Sequence, residues 1–587
     1  MGRRAWLAVS AAVSMLVAVA LLPLLSPAAQ AANDNPPRKI VTGWMPYWNT
    51  TGGMATIMAN PDLFPEVMPF WYSVKSQTNV LDQYDPANAA PMSDQVKTLQ
   101  AAGVKVVPTL TDGTGKLAMQ KLLADATKRS QLVKTLADLA TKNNFDGLDL
   151  DWEGFAFTDG TASWSVTSPL WTTFVKELAT KLHAQGDILS VTTPEVRDPA
   201  SGKKGYWVYN WPEIGPVIDR LRIMTYDYSV ANPGPIGPLS WVDQITKYAS
   251  TLMAPSKIWV GVPTYGRDWV TAVEGTCPDG VDLIAPQGAT AGTKAVVNSK
   301  DAAALAASYQ ATPVWTESYG EYSFNYTKVY APADGAPDKT CVVTRTVWYQ
   351  DARSVAARAA LVAKYRIGGV ALWSLGIEDP LTWPSVRLYA KTIAPDVVLG
   401  SIDAPTTPVD FATPVTLTAT FKVSDSRPVV GAPISFQMMR NSDTDWREIA
   451  TATTSVTGIA QIKLVASQYV QVRAVAPGTW ERLAGTSAAK NIAVQRLVGS
   501  LSVNSPRVGA KVVVKGRILP AEAVDVSLEE CVDGAWVEVA SGASGYDGVV
   551  TLSASVRQAG FHTYRISARS DSHFETVISQ SITSIVR

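Results

Sequence analysis

The chain has 587 residues, 47% of them hydrophobic and 17% charged, with 51 basic side chains against 51 acidic ones. That length calls for several domains, and the balanced charge leaves no basic field for nucleic acid and no long acidic run of the kind that stays disordered. Three histidines (183, 562 and 573) and three cysteines without a CxxC make neither a His-based zinc site nor a Ser-His-Asp triad easy to assemble.

Residues 1–31 read as an export signal: Arg3 and Arg4, an apolar run from Ala5 to Leu25, then Ala29-Gln30-Ala31 as the cleavage site. The paired arginines leave a twin-arginine route open beside the general one. Pro23 cuts the apolar run and no second stretch of membrane length follows. The mature protein is therefore expected to be secreted and free of the membrane, and removal of the leader leaves an excess of two acids.

After an Asn/Pro linker, Ile40–Met45 and Val67–Ser73 are predicted as the first two buried strands. Ser93 is expected to cap a helix that runs to Ala102 and stops at Gly103, and Val104–Leu110 is the third strand. Two helical patterns fill 117–142. Phe145–Phe155, FDGLDLDWEGF, then alternates: Asp149, Asp151 and Glu153 on one face, Leu148, Leu150 and Trp152 on the other. Three like charges in a row are a poor device for stability. They raise one another's pKa values, as burial also does, and so suit a general acid. A calcium or magnesium loop would place polar or glycine residues between its ligands, where this sequence has Leu, Leu and Trp, so no metal or cofactor is expected.

Ser168 is expected as the N-cap of the next helix, with Pro169 at its first position and Gly186 closing it. His183 lies off that helix's apolar line of Phe174, Leu178 and Leu182 and is expected at the surface. Strands follow at Ile188–Thr193, Arg220–Tyr226 and Ile258–Pro263, then an insertion from Arg267 to about Val347, a helix at Ala352–Tyr365 and an eighth strand at Gly369–Leu375. Strands alternating with helices imply an α/β fold, a closed (β/α)8 barrel over residues 32–398 with one large insertion between strand seven and the last helix. Its catalytic groups are expected at the C-terminal ends of the strands. Cys277 and Cys341 share the insertion and are the candidate disulfide pair, which leaves Cys531 over.

Beyond Pro395 the helical periodicity disappears. Trp446 and Trp536 align, as do Gly458 and Gly548, in a repeat 90 positions long. Two all-β Ig-like sandwich domains are expected over 399–496 and 497–587, as spacers rather than glycan binders for want of a row of exposed aromatics.

The stretch Asp146–Glu153 resembles the DGxDxDxE signature of glycoside hydrolase family 18, the chitinase and N-acetylglucosaminidase family. Met224-Thr225-Tyr226-Asp227 is similar to its MxYD motif, Gly261–Arg267 (GVPTYGR) to its strand-seven motif, and Gly368–Gly376 (GGVALWSLG) to its strand-eight motif. Four motifs in order cover about residues 40–395. Pro233–Val242 and Val347–Ser354 are closest to the bacterial branch that includes spore-cortex glucosaminidases, whereas Trp44-Met45 departs from the two aromatics usual after the strand-one glycine.

The resemblance implies a TIM barrel and substrate-assisted, retaining hydrolysis of β-1,4-linked N-acetylglucosamine glycans, whether chitin-type or peptidoglycan. It makes Glu153 the acid, Asp151 the group that orients the substrate's acetamido, Asp149 the tuner of Asp151, and Tyr226 a donor to the acetamido oxygen. Asp227 would bind sugar hydroxyls and Trp373 would form the floor under the reacting sugar, with Met224, Tyr265 and Arg267 placed among the substrate-binding residues. The implied partner is the polysaccharide itself, and the protein is expected to act as a monomer. The competing class is a lectin-like barrel that binds glycan without cleaving it. Trp48, Trp71, Trp164, Trp207, Trp211 and Trp269 are candidates to stack on sugars at the barrel mouth.

Overall fold

In the computed structural model, which describes residues 35–587 apart from 88, 204, 280, 282–293 and 333–338, eight parallel strands form a closed ring. They are β1 (Val41–Pro46), β2 (Glu66–Val74), β3 (Thr109–Asp112), β4 (Gly147–Asp151), β5 (Ile188–Thr193), β6 (Arg220–Ile223), β7 (Ile258–Pro263) and β8 (Gly369–Trp373). β1 pairs with β2 on one side and with β8 on the other, which closes the barrel and leaves no edge between them. The leader expected over residues 1–31 lies outside the described residues.

Several expected elements shift, each for a local reason. Pro108 carries no amide hydrogen, so the run at 104–110 breaks into a short Lys105–Val106 pair on β2 and a separate β3. β6 stops at Ile223 instead of Tyr226 because the Thr225 N–H turns back onto the Ile223 carbonyl at 2.8 Å. β8 stops at Trp373 instead of Leu375. Ser93 is no cap: the helix spans Met92–Ala101, and Pro91 stands at its N-cap. Ser168 is not one either, since that helix starts at Trp164 and runs to His183 with Pro169 inside it. The early start is held by the Trp164 indole, which donates to the Phe155 carbonyl at 2.8 Å. Pro169, the sixth residue of the helix, leaves the Ser165 carbonyl without its intrahelical partner, a cost the packed helix bears. Gly186, at φ +83°, donates to the His183 carbonyl just past the helix end.

The outward face of β4 shows why the alternation forms a strand here. Leu148, Leu150 and Trp152 are fully buried against the surrounding helices. Trp152 stacks on Phe174 at 4.9 Å and meets Trp171 and Phe155 at 5.6 and 6.2 Å. Each such side chain contributes roughly 2–3 kcal/mol of burial.

The insertion is a five-stranded antiparallel sheet in the order 294–298, 265–275, 341–349, 321–330, 314–316, with a helix at Ser299–Ser308. A disulfide joins Cys277 to Cys341. Inside, the buried Asp268 accepts from Arg345 at 2.8 Å and from Tyr326 at 2.7 Å.

The C-terminal region is all β, with two apolar cores, one around Leu417, Phe421, Phe436 and Val472, the other around Val514, Leu528, Tyr564 and Ile566. Phe574 belongs by sequence to the second half but packs into the first core, with the Arg496 guanidinium 4.5 Å over its ring. Arg496 also bonds Glu522 and Asp571. The repeat extends to side-chain contacts: Arg473 covers Trp446 at 4.3 Å and Arg565 covers Trp536 at 4.2 Å. Ser435 donates to Glu448 as Ser527 does to Glu538.

Gly458 and Gly548 occupy matching turns that carry the chain from one sheet to another at φ +77°, where an added Cβ would meet the Phe421 or Ile518 carbonyl oxygen at 2.4 or 2.3 Å. Gly458→Ala and Gly548→Ala are expected to destabilise the region by similar amounts, about 1 kcal/mol or more each. Thermal unfolding of the two variants checks this, and an unchanged midpoint in either would refute it.

Candidate active site

The inward face of β4 carries Asp149 and Asp151. The registers set Thr109 and Ser190 beside Asp149, and Thr111 and Thr192 beside Asp151. Asp149 is wholly buried and accepts from Thr109 at 2.8 Å, Ser190 at 2.5 Å and Thr192 at 3.0 Å. The buried Arg222 guanidinium lies 3.5 Å away and reaches Glu66 on its other side at 2.5 Å, where Arg220 also binds. A carboxylate this deep is tolerable because hydroxyls and a guanidinium surround it.

Asp151, one step toward the open end, has no such cation. Its Oδ1 is buried without a partner. Burial first, then the charges of Glu153 and Asp149, raise its pKa well above the ordinary range.

The strand ends at Asp151, so Glu153 does not complete the row as a strand residue. It has helical dihedrals (φ −78°, ψ −14°) and opens a one-turn helix at Gly154–Phe157. Its carbonyl accepts from Ala156 and Phe157, which starts the coil. The side chain reaches solvent at the mouth of the barrel. The protein packed around it still desolvates the carboxyl, and together with Asp227 raises its pKa.

Just past β6, Tyr226 approaches close enough to β7 that a Cβ at Gly261 would sit 2.8 Å from its ring. Burial, with Asp151 next, raises its phenol pKa well above normal, so the hydroxyl is a donor. Asp227 adopts a left-handed backbone (φ +57°), uncommon outside glycine and costly unless held. It is held: Tyr265 Oη and Arg267 Nη2 each donate to its Oδ1 at 2.5 Å. Met224 is half-buried at the end of β6. Trp373, on the far wall, is half-buried among Phe70, Trp44 and Trp48 at 5.0, 5.9 and 6.4 Å.

Beside Asp151 and Glu153 opens a cavity of about 250 Å³, lined also by Asp112, Thr114, Phe157 and Asp159, with no basic side chain in its wall. Of the six candidate tryptophans, Trp48 and Trp207 are exposed and Trp164 is half-buried. Trp71, Trp211 and Trp269 are fully buried and cannot stack on a glycan. Trp211 donates to Thr193 and Trp269 to the Val230 carbonyl, so their polar edges are used within the core. His183 is exposed and bonds Asp219 at 2.8 Å.

Sequence reasoning missed Arg222, Asp112, Asp159 and Phe70. Arg222 had a signal, because it stands two residues before Met224 and shares its face of the strand.

The family model for glycosyl hydrolases family 18 matches residues 41–378. The glycosylase YdhD of Bacillus subtilis (strain 168) is 24% identical over 54% of this chain and 70% of its own length. The cortical fragment-lytic enzyme of Bacillus anthracis is 25% identical over 54% of this chain, which spans 65% of that relative. A chitinase structure from Chromobacterium violaceum ATCC 12472 aligns at 24% identity and TM-score 0.48, over 60% of this chain and 98% of that one.

The raised pKa of Asp151 has a measurable sign. An unfolded aspartate ionises near pH 4. Above that, and up to its own higher pKa, the folded chain keeps a proton that the unfolded chain has lost, so stability falls as pH rises through the window. Asp151→Asn removes this penalty. It is expected to unfold at a higher temperature than the parent at pH 8, with the gap closing toward pH 4; a pH-independent gap in calorimetry would contradict the reading.

Proposed function

The chain belongs to glycosyl hydrolases family 18, and on that premise we propose that it is a secreted, retaining hydrolase of β-1,4-linked N-acetylglucosamine glycans that uses the substrate's own acetamido group as nucleophile. The observation that carries the reading is Glu153 at the barrel mouth, its pKa raised, beside the buried Asp151 with an unpartnered oxygen. Glu153 would protonate the glycosidic oxygen while the acetamido oxygen attacks C1. Asp151 would take the acetamido N–H and balance the developing oxazolinium charge, with Asp149 and Arg222 fixing it from behind. Tyr226 would donate to the acetamido oxygen and Asp227 would bind sugar hydroxyls. Trp373 would supply the floor, and water activated by Glu153 would open the intermediate with retention.

The leader sequence supports export. The tail is proposed as two Ig-like spacers, 399–496 and 497–587, behind a catalytic barrel at 32–398.

The cavity next to Glu153 favours one glycan class. With no cation in its lining to pair a glycan carboxylate, it suits an uncharged chitin-type chain better than a glycan bearing carboxylates. Peptidoglycan is the second reading, favoured by the name of the cortical fragment-lytic relative.

Glu153→Gln is expected to lose at least about a hundredfold in release of a chromogenic group from an N-acetylchitobioside, in line with removal of a general acid. A lectin-like barrel would show no turnover in the parent to lose. The parent is expected to leave an analogue with hydroxyl in place of acetamido essentially uncleaved. Equal rates on both would rule out the neighbouring-group route. Product analysis on chitin oligosaccharides beside purified peptidoglycan is expected to favour the former, and the reverse order would move the assignment to the second reading.

A further inference from the structure

Glu321 is a fully buried carboxylate that the mechanism above does not use. It stands at the start of the insertion strand Glu321–Tyr330 and is the acceptor of four bonds. Its Oε2 takes the Ile236 N–H at 2.7 Å. Its Oε1 takes the Gly237 N–H at 2.7 Å, Gln350 Nε2 at 2.9 Å and Arg358 Nη2 at 3.1 Å. Arg358, itself wholly buried, also donates to the Gly237 carbonyl, so one ion pair grips both polar groups of Gly237. The Leu239 N–H reaches back to the insertion at the Tyr319 carbonyl, 2.8 Å away.

The segment gripped in this way is the far end of the loop that begins at Tyr226-Asp227. The Ile236 carbonyl accepts the Tyr228 N–H at 2.8 Å, so the loop is pinned shut one residue beyond Asp227. Gly237 packs flat on the other side: a Cβ there would lie 2.4 Å from the Thr225 oxygen and 3.5 Å from Tyr226 Cα. The Ile236 side chain fills a buried cluster with Tyr265 and Trp269, against which Tyr226 and Trp373 pack. Two short paths therefore lead from the Glu321 carboxylate to the backbone of Tyr226 and Asp227, where a non-glycine residue is kept left-handed. Four donors converging in a dry interior require a charged acceptor; a neutral side chain would leave amides and a guanidinium unpaired.

We infer that Glu321, contributed by the insertion, is a positioning residue for the reaction: through Ile236 and Gly237 it sets the placement of the Tyr226 hydroxyl and the Asp227 carboxylate over the reacting sugar. The inference rests on the proposed roles of Tyr226 and Asp227. On this view the insertion is part of the catalytic architecture as well as a wall beside it.

The test is a double-mutant cycle on the full chain, read as kcat and KM for the chromogenic N-acetylchitobioside. Glu321→Gln is expected to lose about tenfold or more in kcat/KM as a folded protein. In a Tyr226→Phe/Asp227→Ala background the same substitution is expected to cost less than about twofold, because both groups it positions are gone. A structural role alone would lower the yield of folded protein and give equal losses in both backgrounds, which would overturn the inference, as would unchanged kinetics for folded Glu321→Gln. If that variant does not fold, Gln350→Ala, which removes one donor of the four, takes its place with an expected drop of about threefold and the same dependence on Tyr226 and Asp227. Failure of the underlying reading is seen separately, as retained activity in Glu153→Gln.

Discussion

The site depends on one electrostatic arrangement: carboxylates stacked along the inside of β4, of which the deepest alone has a cationic partner. Asp149 sits among three hydroxyls with Arg222 at 3.5 Å, and Arg222 is shared with Glu66 across the barrel floor. Above it Asp151 is buried with no cation and Glu153 meets solvent. Burial raises the proton affinities of the upper two, with Glu153 and Asp149 adding at Asp151 and Asp227 adding at Glu153. The neutralised base needs a closed barrel, since only closure brings Glu66 of β2 and Arg222 of β6 under the strand between them. Stability is lost at the buried, unpaired Asp151 and recovered in the aromatic packing of Trp152, Trp171 and Phe174 on the opposite side.

A second constraint acts from outside the ring. Tyr265 and Arg267, on the first strand of the insertion, hold Asp227 directly, while Glu321, on a later strand of the same sheet, holds the other end of the Asp227 loop. Tyr226, Asp227 and the loop after them are thus clamped at both ends by a sheet that belongs to no barrel unit. This accounts for a left-handed aspartate persisting at an exposed position.

Legibility in the sequence followed the range of the interactions. β5, β7 and the helix at Ala352–Tyr365 occupy the spans that their local patterns predict, and the alternation around β4 correctly sorted Leu148, Leu150 and Trp152 to the packed face. The row broke at Glu153, because a coil begins there whose cause, the bonds from Ala156 and Phe157, lies downstream. Ser168 failed as a cap since a packed tryptophan outweighed a good Ser-Pro signal. Trp71, Trp211 and Trp269 were misjudged because a ring gives no sign of which wall it will face. The pairings of Arg222 with Glu66 and of Glu321 with Arg358 were invisible for a different reason: the first is made across the closed barrel and the second where the insertion meets the helix after it, and no spacing rule relates the members of either.

The tail carries a consequence of its own. Phe574 fills the core of the sandwich before its own, and Arg496 rivets the joint through Glu522 and Asp571. Removing the last module would therefore open a void in its neighbour, so the two halves of the tail hold together as one packed body and not as beads on a string.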